Sequence, residues 1–580
     1  MQVTVEVDFP EREGGRLRLA ATNAVGSWQA HSLDEVIPAI EAAEAAALAG
    51  HWVAGFVAYE AAPAFDAAMR TRAASGPLPF AAFFAFPAES VCPPTEGPEA
   101  QFECGQWLAD DPPARVREMV TILRDGIAAG TYYQVNASTR LRASCSGDTA
   151  ALWHALTATQ PGGYCARVAT AQWEIHSVSP ELFFDWNGDR LVTRPMKGTA
   201  PRFAEPARDE AAREAMLASA KERAENVMIV DLIRNDLSRI ARTGSVRVPK
   251  LFETHALPTV WQMTSTIECR TREDVGLSQV FGALFPCGSV TGAPKISAMQ
   301  AIAELERSAR GVYCGTVGVI RPGGHATFNV AIRTLTVDKA VGRAECGLGS
   351  GITTQSGEEA EHAEWVAKRR FLLRATAHFD LLETMLLREG EIPLWPQHQA
   401  RLRAAAEHFG FALDEAAVES LMLRLRRAHP RGAWRVRLLC ARDGALQSQV
   451  FALEPSPAEV QVVLATSPVR SDDEFLRWKT TARAVYAAHQ PPPGMFDTLL
   501  WNERGELTEF TRGNLVLDVE DRRLTPRVES GLLVGVQRGV LLGAGEIEEA
   551  LLRVEDLARA RRAWFINAVR GWLPVRLVDR

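Results

Sequence analysis

The strongest constraint on this chain is an abrupt change of hydrophobic period near residue 379. The segment EEAEHAEWVAKRRFLLRATAHF keeps apolar residues at helical spacing, then runs directly into DLLETMLLREGEIPLW, a pattern of strand, Glu-Gly turn and strand. A helix that gives way at once to a new β pattern predicts a fresh folding unit over 379–580. The 580 residues leave room for it, since roughly 150 residues per domain makes about four packing units. Before the change, residues 1–110 mix short alternating strands with an Ala-rich helix near 33–49. They end in a Pro/Gly-dense run from Pro87 to Pro113, read as a surface connection. Residues 111–376 alternate helical periods with β-rich stretches such as RLVTRPMKGT and GVYCGTVGVI. The expected class is a multidomain α/β and α+β chain, with layered β-sheets and outer helices followed by a part built from two subdomains.

Composition excludes several functions. With 47% hydrophobic and 23% charged residues the chain can bury large cores. Sixty-four basic against 71 acidic side chains give −7, with no long Lys/Arg block, so neither nucleic acid nor membrane is an expected partner. The start lacks a basic region followed by an apolar one, and no run reaches about 18 apolar residues, so a cytoplasmic location is expected. Nine cysteines, scattered without C-x-x-C pairs, read as buried thiols.

In KERAENVMIVDLIRNDLSRI, apolar Val227, Val230, Ile233, Leu237 and Ile240 keep helical spacing, which puts Glu222 and Glu225 on one face. Glu361 and Glu364 repeat the arrangement on the later helix. Such pairs are common on solvated surfaces, but two of them on two helices make a hard-oxygen site suited to Mg²⁺. GSVTGAPK and GLGSGITTQSG are Gly-rich, and amides in such turns can cradle an anion. Neither has the Walker spacing, because Lys295 follows Pro294, so a nucleotide is disfavoured. Arg333 in FNVAIRTLTV would sit in an otherwise apolar strand, where a guanidinium needs an anion such as a substrate carboxylate.

The ordered segments YYQVNASTR, TRPMKGT, ENVMIVDLIRNDL, GSVTGAPK, VYCGTVG, NVAIRT and GSGI followed by EAEHAEW resemble the chorismate-utilising family, most strongly over about 115–374. That family includes anthranilate, aminodeoxychorismate, isochorismate and salicylate synthases. Isochorismate-type members carry a Lys base where this chain has Gln134, so the resemblance favours an amine-transferring member. Anthranilate synthases typically have Ala where this chain has Lys197, and aminodeoxychorismate synthases have Lys. The resemblance implies that Lys197 attacks C2 of chorismate, expelling the C4 hydroxyl, and that ammonia then adds at C4. It implies Mg²⁺ on Glu225 and Glu364 directly and on Glu222 and Glu361 through water. It also implies chorismate contacts from Gln134, Ser289, Tyr313, Arg333 and the backbone of Gly349, Ser350 and Gly351. Relatives often have His in the segment that reads PTVWQMTS here, where this chain offers Trp261 and Gln262. His255 is left outside the catalytic set.

From 379 onward, HQARLRAAAEHFGF, WKTTARAVY, GELTEFTRGNL, RLTPRVESGLLVGVQRG and WFINAVRGWLPV resemble the fold-type IV pyridoxal-phosphate family. Its members include branched-chain and D-amino acid aminotransferases and aminodeoxychorismate lyase. The resemblance implies that Lys479 holds the cofactor and shuttles the proton, and that Glu509 pairs with the pyridine nitrogen. Arg401 and amides of a turn at Val536 and Gln537 would bind the phosphate. Gln537 and Ala568 stand where hydroxyl residues are frequent, which would weaken that binding.

Taken together, the halves imply a bifunctional enzyme that uses Mg²⁺ and pyridoxal phosphate to turn chorismate and ammonia into 4-amino-4-deoxychorismate. It would then release pyruvate to leave 4-aminobenzoate for folate synthesis. No glutaminase elbow with a nucleophilic Cys is present, so a separate glutamine amidotransferase subunit is the expected ammonia source. A homodimer through the pyridoxal-phosphate part is left open. The competing readings are an anthranilate synthase component fused to an aminotransferase-like domain, and a binding protein that retains the pockets without turnover.

Overall fold

Alternation builds the first layer. Thr4–Pro10 alternates half-buried and buried positions, so Val5, Val7 and Phe9 all face inward. The structure, a computed structural model, describes residues 1–12, 14–74, 76–94, 101–202, 206–256, 260–376, 378–471 and 473–578. Its chain divides into two compact units, Met1–Thr376 and Ala377–Arg580.

The first unit holds two ten-stranded sheets. One includes Thr4–Pro10, Gln134–Gly147 (β1), Thr334–Asp338 and Arg343–Ile352; the other includes Trp52–Val57, Ala81–Phe86 and Met196–Pro201 (β2). Strands from the first 110 residues are therefore paired into the same sheets as later ones, Thr4–Pro10 against Tyr164–Ala169 and Trp52–Val57 against Thr316–Ile320. Val5, Phe9, Ala166 and Val168 meet Phe56, Phe84 and Val317 in one core between the sheets. Helices cover the outer faces. Ala220–Ser238 (α1) packs Ile229, Val230, Ile233 and Leu237 with Phe281 and Phe328, while Leu152, Leu156 and Leu372 cover Leu335 and Cys346 of the other sheet.

Several sequence expectations are corrected. Val227 is 39% exposed; the inward stripe of α1 runs instead through Asn226, Ile229, Val230, Ile233, Asp236 and Leu237. Val260–Arg270 (β3) lies in the other sheet against Met196–Pro201, while GLGSGI is not a turn but the end of Arg343–Ile352 (β4), paired along Gln134–Gly147. Its glycines serve close approach. A Cβ at Gly347 would lie 2.2 Å from the Tyr313 ring, and one at Gly349 would lie 2.1 Å from the Ala137 carbonyl. Arg333 is not in a strand; it lies between Ala326–Asn329 and Thr334–Asp338 with φ +50°. The expected long helix breaks into Glu358–Lys368 (α2) and Arg370–Thr376. Seven cysteines are buried, but Cys92 is exposed and Cys104 half-buried.

The second unit pairs two layers of its own. Leu381–Arg388 (β5) heads a three-stranded sheet covered by Trp395–Phe409 (α3) and Glu415–Ala428. The second strand expected after the Glu-Gly turn shrinks to a single bridge, Arg388 with Glu391, before α3 begins. An eight-stranded sheet follows, and pairing of Leu507–Phe510 (β6) with Gly513–Val519 closes it into a small barrel around Leu499, Phe510, Leu515 and Phe565. Val536–Gly543 (α4) packs on its outside. No helix among the described residues is long and apolar enough to cross a membrane.

Candidate active sites

Lys197 owes its direction to a β-bulge. β2 pairs with β3 through Met196 opposite Thr264 and Thr199 opposite Gln262, so three steps on one strand match two on the other. The extra residue falls at Lys197 and Gly198, and Gly198 takes φ +92°. A bulge at a sheet edge re-aims a side chain. Here it brings the Lys197 amine to the Ser289 carbonyl, to which it donates at 3.4 Å. A Cβ on Gly351 would stand 3.4 Å from that amine and 2.0 Å from Gln134 Nε2, so glycine keeps this space open. Gln134 is buried, and its Oε1 has no partner among the described residues.

The Ser289 hydroxyl donates to Glu181 Oε1 at 2.8 Å. Glu181 is buried, and burial pushes its carboxyl up to about 7 despite the charges of Lys197 and Lys368. Sequence reasoning missed Glu181. A carboxylate in the apolar run SVSPELFF was the available signal, the same signal that marked Arg333.

The four carboxylates approach this lysine from two helices. Glu222 and Glu225 share one face of α1, and Glu361 and Glu364 share one face of α2. Burial raises Glu222, with Glu364 adding to it; burial also raises Glu225, with Glu222 and Glu361 adding, while Lys197 pulls both down. Glu361 accepts from the Ser350 hydroxyl, which in turn accepts from Trp365 Nε1 at 2.7 Å. Glu364 is half exposed, and Lys368, 2.7 Å away, holds its carboxyl below the usual range. Among the described residues no three His, Cys, Asp or Glu side chains already enclose an ion. The donor set nonetheless fits Mg²⁺, being hard oxygens whose charges oppose one another and would be relieved by a divalent cation.

The remaining expected chorismate contacts are more dispersed. Tyr313 is buried and its ring meets β4 at Gly347, four residues short of Gly351, with Arg140 stacked 5.0 Å from its centroid. Arg333 donates to Gln160 Oε1; burial and nearby Arg374 draw its guanidinium down to about 10. It immediately precedes the strand whose Leu335 pairs with Cys346, and so stands beside β4. Lys368 donates to the Gly349 carbonyl at 2.8 Å.

In the second unit, burial and then Arg401 draw Lys479 down to about 8. Glu509 is buried on β6 and pushed up to about 8 by that burial. Tyr486 donates to it at 2.8 Å, the Leu533 amide at 3.1 Å and Asn514 Nδ2 at 3.4 Å. Arg401 on α3 grips Glu383 of β5 with two nitrogens, at 2.8 and 2.6 Å, and gives a third to the Val534 carbonyl. Burial disfavours charge on Glu383, yet Arg401 holds it down to about 2. Val536 and Gln537 are not a turn but the first residues of α4, whose opening amides have no preceding carbonyls to meet. Gly535 caps this helix, where a Cβ would fall 1.9 Å from Asn514 Oδ1. A lysine with a neutral fraction, a desolvated carboxylate and a helix start beside an arginine fit pyridoxal phosphate. Tyr486 and Glu383 were not legible beforehand, because each meets a partner distant in sequence, and Asn514, five residues from Glu509, reaches it only through the pairing of β6 with the next strand.

Residues 11–374 match the model of the chorismate binding enzyme family, and residues 380–578 that of amino-transferase class IV. The chain is 38% identical over 268 residues to aminodeoxychorismate synthase component 1 of Escherichia coli, covering 46% of this chain and 59% of that protein. It is 37% identical over 284 residues to an anthranilate synthase component 1 of Haloarcula marismortui, covering 49% and 55%. The chain thus spans little more than half the length of these relatives. In fold, anthranilate synthase component I of Streptococcus pneumoniae superposes with a TM-score of 0.51 at 23% identity, over 64% of this chain and 92% of that one.

Proposed function

The chain belongs to the chorismate binding enzyme family, and from that premise we propose that its first unit aminates chorismate at C4 while its second releases pyruvate from the product, leaving 4-aminobenzoate. The observation that carries this reading is the Lys197 amine, which its bulge brings to the Ser289 carbonyl and close to Gly351, where Gln134 also reaches. Relatives named for aminodeoxychorismate and for anthranilate synthesis are almost equally similar, and Lys197 together with the second unit supports the first of these readings.

In this reading the Lys197 nitrogen bonds to C2 through its lone pair, the ring double bond shifts, and the C4–O bond breaks. Glu181, pushed up to about 7, is protonated in a substantial fraction at neutral pH, and that form gives its proton to the departing hydroxyl, which leaves as water. Ammonia then bonds to C4, the double bond shifts back, and Lys197 departs as a neutral amine. The Glu181 carboxylate takes the extra proton from the new ammonium group. Glu222, Glu225, Glu361 and Glu364 would hold Mg²⁺, whose charge would offset a substrate carboxylate. Arg333 would face the other.

In the second unit Lys479, Glu509, Arg401 and the first amides of α4 would hold pyridoxal phosphate, which supplies an electron sink when bound. Lys479, drawn down to about 8, keeps a neutral fraction that can accept and return a proton. Tyr486 and Asn514 fix the direction of the Glu509 oxygens. The "component 1" naming of relatives supports a separate glutamine amidotransferase as the ammonia source.

The test is a product assay with chorismate, Mg²⁺ and ammonium, with and without pyridoxal phosphate. Equal amounts of 4-aminobenzoate and pyruvate are expected with the cofactor, and 4-amino-4-deoxychorismate without it. Anthranilate as the product would overturn the reading.

A further inference from the structure

The bulge that aims Lys197 is closed by one side chain from the facing strand. Gln262 lies opposite Thr199 in the register of β2 and β3. Its Nε2 donates to the Gly198 carbonyl at 2.8 Å, and its Oε1 accepts from the Thr199 hydroxyl at 3.2 Å. A bulge leaves one residue outside the ladder, so its backbone groups need other partners. The Gln262 amide meets that need on the residue immediately after Lys197. Its neighbours keep the same segment in place. Trp261 Nε1 donates to the Asp209 carbonyl at 3.2 Å, and Arg202 stacks 4.6 Å from the indole centroid. Met263, on the other side, packs 3.2 Å from where a Gly198 Cβ would be.

We propose that Gln262 is a positioning residue for Lys197, its amide locking the Gly198 bulge so that the lysine amine is held toward Ser289 and Gly351. The amide is suited to this because it donates and accepts at once, on adjacent residues of one strand. A carboxylate would lose the donation, and an imidazole, whose donor and acceptor nitrogens point away from each other across the ring, would keep the donation to Gly198 and lose the bond from Thr199. Both contacts of the Gln262 side chain fall on the strand that carries Lys197, so its influence passes through the backbone of Gly198.

This inference rests on the reading of Lys197 as the nucleophile, so the experiment has one arm that does not depend on turnover. Full-length protein with Gln262→Met, a nearly isosteric change that removes both contacts, is compared with the unaltered protein and with Gln262→His. In the first arm, Lys197 is acylated by acetic anhydride over a range of pH without substrate and its rate read by mass spectrometry. Gln262→Met should shift the rate or its pH midpoint for Lys197 several-fold relative to surface lysines of the same sample, and Gln262→His should restore part of it. In the second arm, amination of chorismate with ammonia should lose ~10-fold or more in kcat while KM stays within about twofold, because orientation is lost and substrate binding is not. Unchanged Lys197 acylation in Gln262→Met would overturn the proposal, as would a raised KM with kcat intact. Should Gln262→Met fail to fold, Gln262→His carries both arms, with Thr199→Val, which removes only the accepted bond, expected to fall between it and the unaltered protein. If unaltered protein gives no amination, the functional reading fails, and the acylation arm still decides the role of Gln262.

Discussion

The two units each set a lysine beside carboxylates, yet the surroundings have opposite sign. Around Lys197 stand Glu181 and two pairs of glutamates on α1 and α2, and burial raises Glu181, Glu222 and Glu225. Around Lys479 the balance is cationic. Arg401 and Arg483 both lower it, while Glu383 is neutralised by Arg401 and Glu509 stays partly protonated. The first site is short of positive charge and suits a divalent cation and an acid step; the second is short of negative charge and suits a phosphate-bearing cofactor. The difference also lies in the backbone. Lys197 depends on an edge bulge that turns on Gly198, whereas the Lys479 carbonyl is bonded to the Leu382 amide of the covering sheet.

The sharpest way to break this comparison is to exchange the losses. Lys197→Ala should reduce formation of 4-amino-4-deoxychorismate by ~10³-fold or more, yet leave pyruvate release from supplied intermediate intact. Lys479→Ala should do the reverse and accumulate the intermediate, which chromatography of the reaction resolves. It should also lose any visible absorbance band that shifts on borohydride treatment. Loss of both activities in either variant would mean that the two sites are not independent.

Glu181 tests the acid step. Because its folded value is raised to about 7, its proton is present below that pH and is lost as pH rises through it. Amination measured at fixed un-ionised ammonia should therefore fall on an alkaline limb near 7. Glu181→Gln should reduce the rate by ~10²- to 10⁴-fold and abolish the limb. A limb that survives the substitution would assign the proton to another group. The carboxylate pairs respond more mildly. Chelation of Mg²⁺ should halt amination and spare pyruvate release, and Glu225→Gln should weaken Mg²⁺ at least ~10-fold, read as the Mg²⁺ concentration for half-maximal rate.

Much of this arrangement could be read from the sequence where periodicity and chemistry coincide. The i, i+3 glutamates on two helices, the lysine in PMKGT and the change of period near 379 are all local signals. What escaped depends on pairing across long separations. Nothing local says that Gln262 will sit opposite Thr199, that Ser289 will reach Glu181 across 108 residues, or that Tyr486 will orient Glu509. Glycine misled in the same way. In GLGSGI it signalled turns, but the residues are a strand whose missing side chains make room for Tyr313, Ala137 and Gln134. Arg333 was recognised as needing a partner, but its positive φ between two strands follows from sheet topology that no single segment encodes.

The smallest expected effect concerns the start of α4, and it sharpens the claim that the second site seeks negative charge. Gly535 caps this helix without any side-chain hydrogen bond, and Gln537, the second helical residue, brings no hydroxyl to its opening turn. On the proposed reading, a hydroxyl there would add one hydrogen bond to a phosphate that the opening amides and Arg401 would also meet. One such bond contributes about 1 kcal/mol net, or about fivefold in Kd. Gln537→Thr should therefore tighten pyridoxal phosphate by about that factor, measured by quenching of protein fluorescence on titration, with amination by the first unit unchanged. No gain would mean that the helix amides and Arg401 already saturate the phosphate. A weaker affinity would place Gln537 itself among the groups that hold it.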